Sequence, residues 1–160
     1  MKKEISYYKA SDAKSFKNLK KDIEVLLDKV RKRENALAKY FYSKFDEPLK
    51  FTRGAWKNDI IYIAIGDGGL VAFAWAKIVK LSVIGSKKSQ KVGELVSSIF
   101  NPTFANEHVL KTAINLVSKE LKKKGCKYFL APTFEPSKGE QAFYKSLGMK
   151  IEGIQYWKKL

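Results

Sequence analysis

Apolar side chains recur at three- and four-residue intervals from Phe16 through Leu19, Ile23, Leu26, Leu27, Val30, Leu37, Tyr40 and Phe41, the spacing of one helical face. Ser11 stands ahead of this stripe as an N-cap, with Asp12 in the first turn where a negative charge is favoured. The stripe falters across residues 31–35, so the pattern predicts two helices or a kink, ending before Pro48. A short strand is predicted ahead of it at residues 4–8. Downstream the rhythm changes. Residues 60–65 and 70–79 are apolar runs of strand length, separated by Gly-Asp-Gly-Gly at 66–69, which predicts a hairpin whose glycines supply positive φ. Residues 92–100 form a further strand, closed by Asn101-Pro102. The helical period then returns: Val109, Leu110, Ala113, Leu116, Val117 and Leu121 share a face, lysines crowd the last turn, and Gly125 follows as a stop. A strand at 126–131, a helix at 137–147 closed by Gly148, and a last strand at 151–157 complete the order β-αα-βββ-α-β-α-β. This reads as one α+β or α/β sheet domain over residues 1–160, with no internal repeat or linker.

Composition narrows the class. Apolar residues are 45% and charged residues 30% of the chain, a globular rather than a disordered balance. No apolar run approaches the length of a membrane span, so no membrane partner is expected. Cys126 is the single cysteine, which excludes an internal disulfide. The first ten residues carry charge with no apolar segment behind them, unlike a secretory leader. A cytoplasmic protein is expected.

Charge adds a second theme. Lys and Arg number 32 against 16 acidic residues, a net of +16, and arginine appears only as Arg31, Arg33 and Arg53. A field of this sign attracts polyanions. The lysine runs, 122–124 and 86–91, are short and hold no interleaved aromatics, and arginine, suited to bidentate phosphate recognition, is scarce. Solvation of the surface is the simpler reading, with nucleic-acid binding through the basic surface as the alternative. His108 is the sole histidine and has no ligand-spaced companions, so no metal is expected. No Gly-x-Ser-x-Gly or Walker loop is present. Trp56, Trp75 and Trp157 are scattered rather than set for base stacking.

The most specific stretch is GEQAFYKSLGMKIEG at residues 139–153: the pair Phe143-Tyr144, three residues, Gly148, then apolar Met149. Before it, residues 92–131 run strand, Asn-Pro, helix, Gly-Cys, strand. With the element order, these features resemble the GCN5-related N-acetyltransferase (GNAT) superfamily. The resemblance implies a mixed, mostly antiparallel twisted sheet flanked by helices in three layers. It implies acetyl-CoA as co-substrate and direct transfer of the acetyl group to a primary amine, on a small molecule or a protein, in a ternary complex. Tyr144 would be the general acid for the departing thiolate, since an ordinary tyrosine is protonated at neutral pH, and Phe143 would pack in the core. Glu94 would be the base that removes the ammonium proton, without which the amine has no lone pair for attack. Backbone groups near Val96, Ser97 and Ser98 would hold the pantetheine arm between the strands at 92–100 and 126–131. A homodimer is also implied, since similar proteins often pair.

The resemblance is incomplete at the diphosphate loop. Where the family has a basic or amide residue and two small ones at the start of the central helix, this chain has Ala105, Asn106, Glu107, His108, Val109 and Leu110, with the small positions held by His108 and Leu110. Glycines there allow backbone amides to approach phosphate oxygens, and the helix terminus, with Asn106 as its expected N-cap, adds positive potential. Lys111 and Lys138 could restore charge to the site. Ser137 stands where the family commonly has an Asn that touches the coenzyme. Two readings follow: a divergent working coenzyme site, or a fold kept as a non-catalytic module that binds a polyanion or a regulatory partner. A cationic enzyme repels polycationic acceptors unless Asp46, Glu47 and Asp59 form an acidic mouth, which points to a neutral or acidic acceptor.

Overall fold

The computed structural model describes residues 4–10, 21, 22, 25, 59–67, 69–82, 89–100, 106–132 and 138–150. Its elements are β1 (Ser6–Lys9), β2 (Asp59–Gly66), β3 (Gly69–Ser82), β4 (Ser89–Phe100), α1 (Glu107–Lys123), β5 (Tyr128–Leu130) and α2 (Lys138–Ser146). The strands form one sheet in sequence order, β1-β2-β3-β4-β5. Successive pairs are antiparallel as far as β4. The β4–β5 pair is parallel, and α1 is its crossover. The sheet is thus mixed and mostly antiparallel, as expected. The predicted final strand lies outside the described residues. So does the predicted helical stripe, apart from Lys21, Asp22 and Val25, which are helical.

The β2–β3 hairpin turns where the glycines stand, and Gly69 takes φ +98°, a conformation side chains with a Cβ rarely adopt. The β3–β4 hairpin extends further than predicted: pairing continues to Ser82↔Ser89, so β4 begins three residues before Val92. The fifth strand is shorter than its apolar run. Cys126 is taken by the end of α1, its N–H bonding the Leu121 carbonyl at 3.1 Å while Gly125 N–H bonds the Lys122 carbonyl at 3.0 Å. This 6→1 and 5→2 pair around a glycine with φ +84° is a Schellman stop.

β2 and β3 bury side chains on both faces, which is why their sequences read as continuous apolar runs rather than as alternations. One face, Ile60, Ala74 and Ala76, packs against Leu110, Ala113, Ile114, Val117 and Leu121 of α1. The other gathers Ile61, Ile63, Phe73 and Trp75. Alanines on β3 and Gly93 on β4 bring α1 close to the sheet. A Cβ built on Gly93 would lie 2.4 Å from Leu121 Cδ1, so glycine is required there for packing rather than for its backbone angles.

Candidate active site

β5 pairs with β4 over three rungs only: Val92↔Tyr128, Gly93↔Phe129 and Glu94↔Leu130. β4 then runs on from Leu95 to Phe100, and among the described residues no strand pairs with that stretch on the β5 side. Past Glu94 the two strands part, leaving a slot whose β4 border carries backbone N–H and C=O groups with no strand partner among the described residues. The β3–β4 ladder slips at the same place: Ala76 pairs with Leu95 but Trp75 with Ser97, leaving Val96 as the extra residue of a bulge. A bulge bends its strand and re-aims the groups beside it, here at the mouth of the slot. The bulge was not foreseen; Ser97-Ser98 breaking the apolar run 95–100 is the only trace of it in the sequence. Leu95 is buried and the Val96 side chain packs into the Trp75 cluster, so their backbone groups, not their side chains, are offered to a ligand. Ser98, opposite Ala74, is half-buried.

At the start of α1 Asn106 is the N-cap, as expected, with φ −126° and ψ 177°. Its Oδ1 accepts from His108 N–H at 3.0 Å and from Val109 N–H at 3.4 Å. These first-turn amides would otherwise serve an anion. The cap engages them already, and Glu107 adds negative charge beside it. The sequence placed Leu110 and Val109 at the loop lining, but both side chains go into the core. His108 is exposed, and its carbonyl accepts the Thr112 hydroxyl at 3.0 Å. Lys111 is half-buried one residue beyond Leu110. Ala105 and Ser137 lie outside the described residues.

α2 carries Tyr144. Phe143 and Leu147 anchor this helix on the cluster shared by α1 and Cys126, and the Tyr144 ring stands edge-on to Phe143 with centroids 5.6 Å apart. Phe143 therefore packs as predicted, while Tyr144 is half-buried beside it. The glycine stop has a specific geometry. Met149 N–H bonds the Tyr144 carbonyl at 3.1 Å and Gly148 N–H bonds that of Lys145 at 2.9 Å, a second Schellman motif about Gly148 at φ +78°. The motif terminates the helix one turn past Tyr144 and fixes that residue's place at its C-terminal end.

Glu94 sits on the last β4–β5 rung, at the apex of the slot, on the sheet face opposite α1. Its Oε1 is 3.3 Å from Lys77 Nζ across the β3–β4 ladder. Lys77 in turn pairs in register with Asp59, whose Oδ2 accepts the Trp75 indole N–H at 2.9 Å. Burial raises the Asp59 pKa; the Trp75 hydrogen bond and the Lys77 charge oppose that rise. Asp59 is thus committed to Trp75 and Lys77. Asp46 and Glu47, its proposed companions at an acidic mouth, lie outside the described residues. Glu94 is on the sheet face opposite α1, while Tyr144 is carried by α2, whose Phe143 and Leu147 pack on the α1 cluster. An open depression of 410 Å³ over Tyr62, Leu116 and Lys119 lies away from this slot and contains none of the predicted site residues.

Among the described residues no helix is long and apolar enough to cross a membrane, and no group of three or more His, Cys, Asp or Glu is placed to hold a metal ion. No curated protein sequence matches the chain. Solved structures of similar fold include the aminoglycoside N-acetyltransferase AAC(6')-Iy in complex with the bisubstrate analog CoA-S-monomethyl-acetylneamine (TM-score 0.68, 19% identity, 98% of this chain and 99% of that one). Glucosamine-6-phosphate N-acetyltransferase from Arabidopsis thaliana matches at TM-score 0.63 and 18% identity, over 96% of this chain and 98% of its own. The aminoglycoside 6'-N-acetyltransferase AAC(6')-Ih from Acinetobacter baumannii matches at TM-score 0.66 and 16% identity, over 98% and 99%. The sequence profile of the acetyltransferase (GNAT) family matches residues 30–149. With that match over most of its length, on a sheet whose fourth and fifth strands part after three rungs, the chain belongs to the GNAT family of acetyltransferases.

Proposed function

We propose that this protein moves an acetyl group from acetyl-CoA to a primary amine by direct attack in a ternary complex. The observation that carries the reading is the slot past the Glu94↔Leu130 rung, bordered by a β4 edge with no strand partner among the described residues and bent by the Val96 bulge. Peptide groups on that edge fit an arm rich in amides, because such an arm can extend the ladder as a strand would. The helix terminus fits a diphosphate less well: Asn106 engages two of its amides, so a phosphate there must displace the cap or use amides ahead of it. Lys111 is the described cation nearest that terminus in sequence.

When bound, acetyl-CoA would supply the activated acyl group as a thioester. The roles left to the chain are proton transfers and positioning. Tyr144, carried on α2, would give its phenolic proton to the thiolate as that group leaves. Glu94 accepts the ammonium proton on the sheet face opposite α1, so that the acceptor nitrogen enters with a lone pair. Two fold relatives are named for aminoglycoside and amino-sugar phosphate acceptors, which makes amino sugars the first acceptors to assay here.

Calorimetric titration with acetyl-CoA tests the reading: no heat at high micromolar ligand rejects it. If the coenzyme binds, Tyr144→Phe should lower kcat more than it raises KM, because the hydroxyl acts on the leaving group. Equal losses of affinity and turnover would assign Tyr144 to packing. The second reading, a GNAT fold kept without the coenzyme, is favoured by the occupied Asn106 cap and is the outcome left if titration fails.

A further inference from the structure

At the end of β4 remote from the slot, sheet register sets three lysines in line. Lys80 of β3 pairs with Lys91 of β4. Lys127, directly before β5, donates its N–H to the Lys91 carbonyl at 3.4 Å, one step before the Val92↔Tyr128 rung. All three are exposed. Alternation puts them on one face, the face that carries α1: Ile78 and Phe129, each two residues from one of these lysines, pack against the α1 cluster, and Gly93 touches Leu121. The last turn of α1 adds Lys122, Lys123 and exposed Lys124. Lys91 and Lys124 both act on the Cys126 thiol, whose pKa burial raises and these two charges lower, so the two cations converge on one spot.

Like charges directly opposite on neighbouring strands, about 4.8 Å apart, weaken a sheet. Elsewhere among the described strand pairs no like charges face each other: Lys77 stands opposite Glu94 and Asp59. Among the described residues no carboxylate is ion-paired with Lys80, Lys91 or Lys127. Lysines that merely solvate a surface need no common rung, whereas an external polyanion supplies the missing counter-charge to all three at once. The exposed apolar neighbours Leu81, Tyr128 and Leu130 alternate to the opposite face. The lysine face therefore offers charge without the apolar wedge by which amphipathic surfaces enter lipid, which favours a solvated polymer of phosphates over a membrane.

We propose that the row Lys80, Lys91 and Lys127, with Lys124 beside it, binds the phosphodiester backbone of a nucleic acid. The row lies about 17 Å along β4 from the Val96 bulge at the usual strand rise, so it is separate from the slot and independent of the acetyl-transfer reading. Binding there is electrostatic and blind to base sequence.

The test is fluorescence anisotropy with a fluorescein-labelled single-stranded RNA of about 20 nucleotides, titrated with the full chain at several salt concentrations. The triple variant Lys80→Gln, Lys91→Gln, Lys127→Gln should lose roughly tenfold or more in affinity at low salt and flatten the slope of log K against log salt by about 2. A charge-matched control, Lys21→Gln, Lys145→Gln, Lys150→Gln, should lose less than about threefold, because it removes diffuse field rather than contacts. The triple variant should melt no lower than the natural chain, since its substitutions relieve repulsion. Equal losses in the two variants, or no RNA binding by the natural chain, would overturn the proposal. So would loss of binding to phosphatidylserine vesicles with RNA binding unchanged.

Discussion

A missing methyl group sets one of the tightest approaches in the molecule. Gly93 lets Leu121, itself only 2% exposed, sit against β4, and this happens one residue before Glu94. Gly93→Ala forces an overpacked contact and should cost about 1–3 kcal/mol by chemical denaturation. A double-mutant cycle with Leu121→Ala should show strong coupling, because the smaller partner removes the clash; additive losses would contradict the packing account. Asp59 gives a prediction of opposite character. Burial holds its folded pKa above the ordinary aspartate value, so the folded state binds its proton more readily than the unfolded chain does. Its contribution to stability is therefore greatest in acid and is lost as pH rises through the raised pKa. Asp59→Asn keeps an acceptor for the Trp75 indole and removes the charge. Relative to the natural chain, the variant should gain melting temperature as pH climbs from acid to neutral, and a constant difference across pH would count against the assignment. The sequence singled out Asp59 and Glu94 as acidic residues near a site. The register that gives each a share of Lys77 was invisible there, because it depends on where three separate strands align.

Among the elements, α1 was the most legible. Its apolar stripe, asparagine cap, terminal lysines and closing glycine are local signals, and they stand where the sequence put them, except that Ile114 rather than Leu116 is buried. Asn106 nevertheless has a double bearing. As a cap its loss should cost about 1 kcal/mol, yet its side chain takes the amides a diphosphate would seek. Asn106→Ala should lower the melting temperature while leaving acetyl-CoA affinity unchanged or improved; a parallel loss of both would mean that Asn106 itself touches the ligand. The strands were legible as runs and less so as boundaries. β5 ends up at three residues because Cys126 completes the Schellman stop of α1, an economy of backbone hydrogen bonds that composition cannot signal. The bulge at Val96 had no local signature beyond two serines, since a bulge is a mismatch between two strands and belongs to neither alone.

For the whole molecule, a net charge of +16 on 160 residues places the folded state under self-repulsion that dissolved ions screen, with a Debye length of about 10 Å at 0.1 M salt. Melting temperature should therefore rise between about 0.02 and 0.3 M sodium chloride, and scanning calorimetry checks this. A flat or falling profile would mean that attractive pairs such as Lys9–Glu120, which joins β1 to α1, outweigh the general repulsion. Against that background the sequence by itself determined the order of the described elements, the identity of the helix stops at Gly125 and Gly148, and which runs are buried. Those follow from periodicity, capping and side-chain entropy, which act over a few neighbouring residues. Only the tertiary structure decided that β4 and β5 separate after Glu94 and that three lysines line up across neighbouring strands. Each of these is a relation between segments far apart in the chain, set by strand register and by the closeness of helix to sheet, which no local pattern encodes.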